Sequence, residues 1–370
     1  QFSPRHSTCL RPGVLRIRSE ARLIMDRAPA MMHAAILHAP KDLRYERSPI
    51  PAYSDDEILI RVRAALTCGT DQKAFLRGHP KIRIPGPLGH EFSGEVAAVG
   101  SAVRAFRVGD RVACVHTAPC GSCFYCGKGQ PNLCETLTDR MAYGAYAEFI
   151  RIPAHVLRQN CMPLPDGLSF EAAALTEPLA CCVYGMKQVN IREGETVAIL
   201  GDGPVGLMMV SLAKKAAAGK IGLVGKNKLR LRAAERLGAH AVCSADAPES
   251  DVKRWFPPHG PDVVIECAGN PDTWKHSLAL VRPGGRILLF GGCPPGEHVP
   301  VDAGKIHYGN LTLYGTFHFT PAEVREALEL LKSGAVPPDV LISDRVPLSD
   351  IVRYFVLNGG KDYLKVAFIP

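Results

Sequence analysis

The run Thr196-Val-Ala-Ile-Leu200-Gly201-Asp202-Gly203-Pro204-Val205-Gly206-Leu-Met-Met-Val210 decides the fold. Its opening is a short apolar stretch of strand length. Its middle is a Gly-x-Gly-x-x-Gly turn, and its end continues as an apolar helix. Glycine at these positions permits a tight turn, close approach of backbone to a pyrophosphate, and close packing of helix on strand. The helix N-terminus adds favourable partial charge for an anion. The glycine pattern alone is weak, and its place between a buried strand and a helix makes it strong.

Outward from this turn, short apolar runs alternate with helical periods. Val197 to Leu200, Ile221 to Val224, Asp262 to Glu266 and Arg286 to Phe290 read as buried strands. Gly206 to Ala218, Asn227 to Leu237 and Pro271 to Val281 read as the intervening helices. That alternation predicts an α/β fold with a doubly wound parallel sheet. Ahead of it, His33 to Leu37, Glu57 to Leu66, Phe92 to Val99 and Arg111 to Val115 read as strands separated by Gly and Pro turns. After Ile306 strands return, with one helix from Pro321 to Ser333. At 370 residues two domains are expected. The boundaries read as a β-rich domain over 32–184 and 320–370, with a nucleotide domain inserted at 185–319.

The second strand of a dinucleotide-binding sheet ends in Asp or Glu when the cofactor is NAD, because that carboxylate holds the ribose hydroxyls. Here Gly225 stands at that point, followed by Lys226 and then Arg230. With no acid at the strand end and two bases nearby to pair a 2′-phosphate, NADP(H) is preferred over NAD(H). Cys267, Ala268 and Gly291 fall at the carboxyl ends of later strands, where ligands of open α/β sheets bind.

Two cysteine patterns carry metal chemistry. Cys120, Cys123, Cys126 and Cys134 lie at spacings of three, three and eight, interrupted by glycines. Four thiolates so placed close a tetrahedral zinc site against substrate, which is a structural role. The second pattern, Cys68-Gly-Thr70-Asp71 with Gly89-His90-Glu91, offers thiolate, imidazole and carboxylate at strand ends. Such a mixed set holds zinc while leaving a position open for catalysis.

Cys68-Gly-Thr-Asp71, the segment Gly86 to Gly100, Val108-Gly-Asp-Arg-Val112, the cysteine knuckle and Gly201-Asp-Gly-Pro-Val-Gly206 stand in the order found in the zinc-containing medium-chain alcohol dehydrogenases. The chain resembles that family from about Met32 to Pro370. Thr176-Glu177-Pro-Leu179 marks the branch of sorbitol (polyol) and threonine 3-dehydrogenases. The resemblance implies a GroES-like catalytic domain and two zinc ions per chain, one catalytic and one structural. It makes Cys68 and His90 direct ligands of the catalytic ion, and Glu91 and Glu177 direct or water-mediated ones. Glu177 before Pro178 also suits the first turn of a helix with no metal role. Thr70 matches the family's proton-relay hydroxyl, but Lys73 stands where members often carry His, which leaves the outer proton path open. A Gly followed by bases, as at Gly225 to Arg230, occurs in NADP-linked members. Gly201, Gly203, Pro204, Val205 and Gly206 would cradle the pyrophosphate, with Cys267, Ala268 and Gly291 lining the adenosine and nicotinamide portions. Phe317, His318 and Phe319 fall where members contribute to the cleft.

The expected activity is hydride transfer between NADP(H) and a secondary alcohol or ketone, with a polyol, cyclitol or sugar alcohol as substrate. A threonine 3-dehydrogenase-like enzyme using NAD is the alternative, against which Gly225 counts. A silent NADPH-binding sensor would have lost zinc ligands, and all four are present. Composition excludes other classes. Of the net charge of +8, half sits in residues 1–30, so the body lacks the basic face that nucleic-acid binding needs. Apolar residues make up 46% without any run of membrane length. The Arg-rich opening segment, residues 1–31, reads as sequence ahead of the true start at Met31 or Met32 rather than as a mitochondrial targeting segment. A cytoplasmic homodimer or homotetramer acting on a small molecule is expected.

Overall fold

A computed structural model of the chain describes residues 31–247, 249–357 and 363–370. Most of the Arg-rich opening segment therefore lies outside the described residues, while Met31 opens the first strand, Met31–Ala39, one residue before the boundary drawn from sequence.

The glycine turn sits where the sequence places it. Thr196–Leu200 is a fully parallel strand, flanked by Lys220–Gly225 and Val263–Glu266. The six-stranded parallel sheet runs, in order of its own strands along the chain, 3-2-1-4-5-6. The order in which successive strands are added across the sheet reverses between Thr196–Leu200 and Val263–Glu266, and ligands of such sheets bind at that switch point. Val197 to Leu200 and Val263 to Ile265, the bodies of the two central strands, are apolar and buried, as a sheet covered on two faces requires. The helices on it are Pro204–Lys215, Lys228–Leu237 and Pro271–Leu280, each within three residues of the predicted bounds.

All strands of this sheet fall within 196–315, and all strands of the two other sheets fall outside it. The larger of these has seven strands, in which Ile58–Leu66 pairs antiparallel with both Glu91–Val99 and Lys365–Ile369. Register fixes three neighbours that matter below. Glu91 lies opposite Val115, which sets His116 beside His90. Ala65 lies opposite Phe92 and Phe368, which brings Cys68 and the start of the last strand toward the same place.

Several strands escape a reading by periodicity. Asp42–Pro49 and Ile342–Pro347 are largely polar edge strands held by pairing rather than burial. The helix Thr176–Val189 was not separated from its surroundings by sequence, yet it ties the sheets together. Gly185 lets it lie against Leu288 and Phe290 of the parallel sheet, with a Cβ there only 3.2 Å from both side chains. Among the described residues no helix is long and apolar enough to cross a membrane.

Candidate active site

Cys68 leaves the strand Ile58–Leu66 and caps the helix Gly69–Arg77, its Sγ accepting the Thr70 N–H at 3.4 Å. The predicted relay residue Thr70 is thus on the thiol, half-buried. Asp71, quoted in the motif without a task, is fully buried and has one. Its Oδ1 accepts from Tyr143 Oη at 2.6 Å and from the Gly89 N–H at 3.3 Å. Its Oδ2 accepts from Tyr146 Oη at 2.9 Å and lies 3.3 Å from His90 Nδ1. A carboxylate behind an imidazole fixes ring orientation and raises the basicity of the other nitrogen. Burial opposes charge on His90, but Asp71 and Cys68 outweigh it and hold the ring well above the usual histidine range.

Ligand-type atoms gather in two triads that share His90, all buried but half-buried Cys68: Cys68, Asp71 and His90, and His90, Glu91 and Glu177, each within 4.8 Å. The four predicted ligands do not form one set at that spacing. Glu91 is drawn to Lys365, whose ammonium donates to Glu91 Oε2 and to the Thr67 carbonyl at 2.8 Å. Both partners are buried, 1% and 2% exposed, so this pair has no water to share its charge. Burial pulls the lysine down, but Glu91 and Cys68 more than restore it, so Lys365 keeps its proton. Sequence reasoning missed Lys365, and its only signal was a lone base in the apolar run of the last strand.

Glu177 occupies the first turn of its helix, as a helix-start carboxylate would, and its carboxylate also lies within 4.8 Å of ligand-type atoms of His90 and Glu91. Burial, helped by Glu91, pushes its carboxyl up to about 7. Its Oε1 lies 3.5 Å from His116 Nδ1, a ring nitrogen with no hydrogen-bond partner. His116, also missed, packs edge-on to His90 at 5.0 Å and to His318 at 5.5 Å. Burial and the neighbouring imidazoles keep it neutral. His318 meets Thr117 Oγ1 at 2.6 Å, which places it on the rim of this cluster, while Phe317 is exposed and Phe319 buried.

The four knuckle cysteines converge to within 4.8 Å. Backbone N–H groups of Ser122 and Cys123 point at Cys120 Sγ and lower its thiol to about 6, whereas burial pushes Cys126 up to about 12. Four converging sulfurs with no disulfide among them are the donor set for tetrahedral zinc.

At the switch point, Gly201 has φ +118°, and a Cβ there would meet Ala268 N at 2.9 Å. A Cβ at Gly206 would lie 1.9 Å from the Gly201 carbonyl, so helix and strand pack as closely as glycine allows. A Cβ at Gly203 would meet nothing within 4 Å beyond its chain neighbours, leaving room at the start of the helix Pro204–Lys215. Cys267 follows the next strand. Ala268 and Gly269 donate their N–H groups to buried Glu266 Oε1 at 2.8 Å, and Gly291 packs against Gly269. This open cradle fits a dinucleotide pyrophosphate.

One expectation is corrected here. The strand end at Gly225 lacks its own acid, yet an acid is there in space. Asp202 Oδ2, from inside the glycine turn, accepts the N–H groups of Lys226 at 2.8 Å and Asn227 at 2.7 Å. Arg230, expected to face a phosphate, donates through Nε and a terminal nitrogen to the Tyr363 carbonyl at 3.1 and 3.0 Å.

Residues 54–166 match the alcohol dehydrogenase GroES-like domain, and residues 204–333 match the zinc-binding dehydrogenase family. The chain is 36% identical to a sorbitol dehydrogenase of Bacillus subtilis over 92% of its length and 98% of that protein's. It is 33% identical to an L-threonine 3-dehydrogenase of Bacillus velezensis over 87% of this chain and 94% of that one. Among solved structures, a zinc-binding dehydrogenase from Sinorhizobium meliloti bound to NADP superposes with a TM-score of 0.85 at 33% identity, covering 92% of this chain and all of the other.

Proposed function

Because this chain belongs to the zinc-containing medium-chain alcohol dehydrogenases, in the branch of the sorbitol and threonine dehydrogenases, we propose that it interconverts a polyol, cyclitol or sugar alcohol and its ketone with NADP(H) preferred over NAD(H). The observation that carries this reading is the pair of donor triads sharing His90. A thiol, an imidazole and carboxylates, with no apolar substitute among them, fit a catalytic divalent ion.

In this reading Cys68 and His90 hold the ion, with Glu91 and Glu177 as exchangeable oxygen donors, and Cys120, Cys123, Cys126 and Cys134 hold a structural one. Bound zinc supplies Lewis acidity toward the substrate oxygen, and the nicotinamide accepts or returns the hydride. The protein's own residues do the rest. Asp71 orients His90. Lys365 restrains Glu91, so that this carboxylate reaches an incoming ion only by leaving a buried partner. Thr70 carries the alcohol proton outward from beside Cys68. Oxygen donors in place of a second thiolate make the ion harder, which suits a substrate with neighbouring hydroxyls. The cofactor preference is supported by the absence of a side chain at Gly225 and by exposed Lys226, and it is modest because Arg230 is already engaged. We take 32–184 with 320–370 as the catalytic domain and 185–319 as the nucleotide domain, assembled as homodimers or homotetramers.

The test is metal analysis joined to a substrate panel of polyols, cyclitols and L-threonine with both nicotinamides. Two zinc per chain are expected, with Cys68→Ala retaining about one and losing activity. Full alcohol turnover by a protein holding only the knuckle's ion would overturn the reading.

A further inference from the structure

Asp202, the middle residue of Gly201-Asp202-Gly203, is 9% exposed and has its carboxylate turned back onto the end of the second parallel strand. A Cβ at Gly225 would stand 2.3 Å from Asp202 Cβ and 2.6 Å from Oδ2, so the space of the missing strand-end side chain is filled from the glycine loop. Its Oδ2 takes both the Lys226 and Asn227 N–H groups, the last two before the helix Lys228–Leu237. We propose that Asp202 is the residue that reads the 2′ position of the adenosine ribose and holds down the preference for NADP(H).

The argument is one of competition. Two backbone N–H groups at a helix start are what an incoming 2′-phosphate needs, and here a carboxylate already occupies them. The phosphate must displace a like charge to use them. A 2′-hydroxyl instead donates to the carboxylate, the task a strand-end acid performs in NAD sites. The neighbouring bases do not cancel the effect, since Arg230 is turned to the Tyr363 carbonyl and Lys226 lies exposed beyond the strand. The inference rests on the nicotinamide reading given above.

The test is binding without substrate: titration of NADH and NADPH by nicotinamide fluorescence on the purified full chain and on Asp202→Asn. The amide keeps the shape and one acceptor for the two N–H groups while removing the charge. The ratio of dissociation constants should move toward NADPH by about tenfold or more. NADPH should tighten and NADH weaken. Asp202→Ser repeats the measurement should the Asn variant not fold. In a further variant, Asp202→Gly combined with Gly225→Asp should move the ratio back toward NADH, because only the loss of the Asp202 Cβ vacates the space that the new side chain needs. A wild type that binds both dinucleotides, with a ratio unchanged in the uncharged variants, would overturn the role of Asp202 alone. A wild type that binds neither would overturn the nicotinamide reading and this inference together.

Discussion

Replacing Lys365 by Met tests whether Glu91 is held in reserve or merely buried. The side chains have similar length, so the change removes a charge without opening a cavity. It leaves Glu91, 1% exposed, without the ammonium that donates to it, and frees the Thr67 carbonyl that Lys365 meets at 2.8 Å. Breaking a buried ion pair from one side costs about 3 to 5 kcal/mol, because the remaining charge keeps its desolvation penalty. For a domain of this size that is a fall in melting midpoint on the order of 10 °C. The loss should be read on metal-stripped protein by calorimetry, then again with zinc added. If an ion takes over the free carboxylate, zinc should restore most of the lost stability in Lys365→Met and add less to the wild type. Glu91→Gln in the same background should also recover most of the loss, since the two sites share one interaction. A drop below about 1 kcal/mol in the stripped Lys365→Met protein would refute the reasoning, and so would a drop that zinc leaves untouched.

Asp71→Asn should weaken zinc at the Cys68–His90 site by about 10- to 100-fold in a chelator competition, because an amide cannot accept from Tyr143, Tyr146 and Gly89 while also facing His90. Unchanged affinity would mean that the imidazole is oriented by something else. In metal-stripped protein near pH 7.5, Cys120 should be alkylated first of the four knuckle thiols and Cys126 last, since their thiols lie at about 6 and about 12. Peptide mapping reads the order, and added zinc should block all four.

The parallel sheet was legible because its signal is local. Its four central strands are short, mostly buried runs, and the glycine turn between Leu200 and Pro204 needs no distant partner to be recognised, whereas the half-exposed flanking strands Ala241–Ser244 and Thr312–Gly315 gave no such signal. The edge strands were not legible for the opposite reason. Asp42–Pro49 and Ile342–Pro347 carry little apolar periodicity, and they are strands because Met31–Ala39 and Lys365–Ile369 offer them hydrogen bonds.

The same distinction governs the site. Cys68, His90 and the knuckle could be found because candidate metal ligands crowd into short motifs. Asp202 stood in plain view, but its meaning depends on Gly225, which lies in the next strand and has no side chain to reveal what it faces. His116 and Lys365 are set by register: one pairing places Val115 opposite Glu91, another places Phe368 opposite Ala65. Inferring a missing acid from one position of a linear pattern is therefore unsafe when that position is glycine. The space a glycine leaves can be claimed by a neighbour from across the turn, and here the claimant carries a charge that tempers the preference for the phosphate-bearing cofactor.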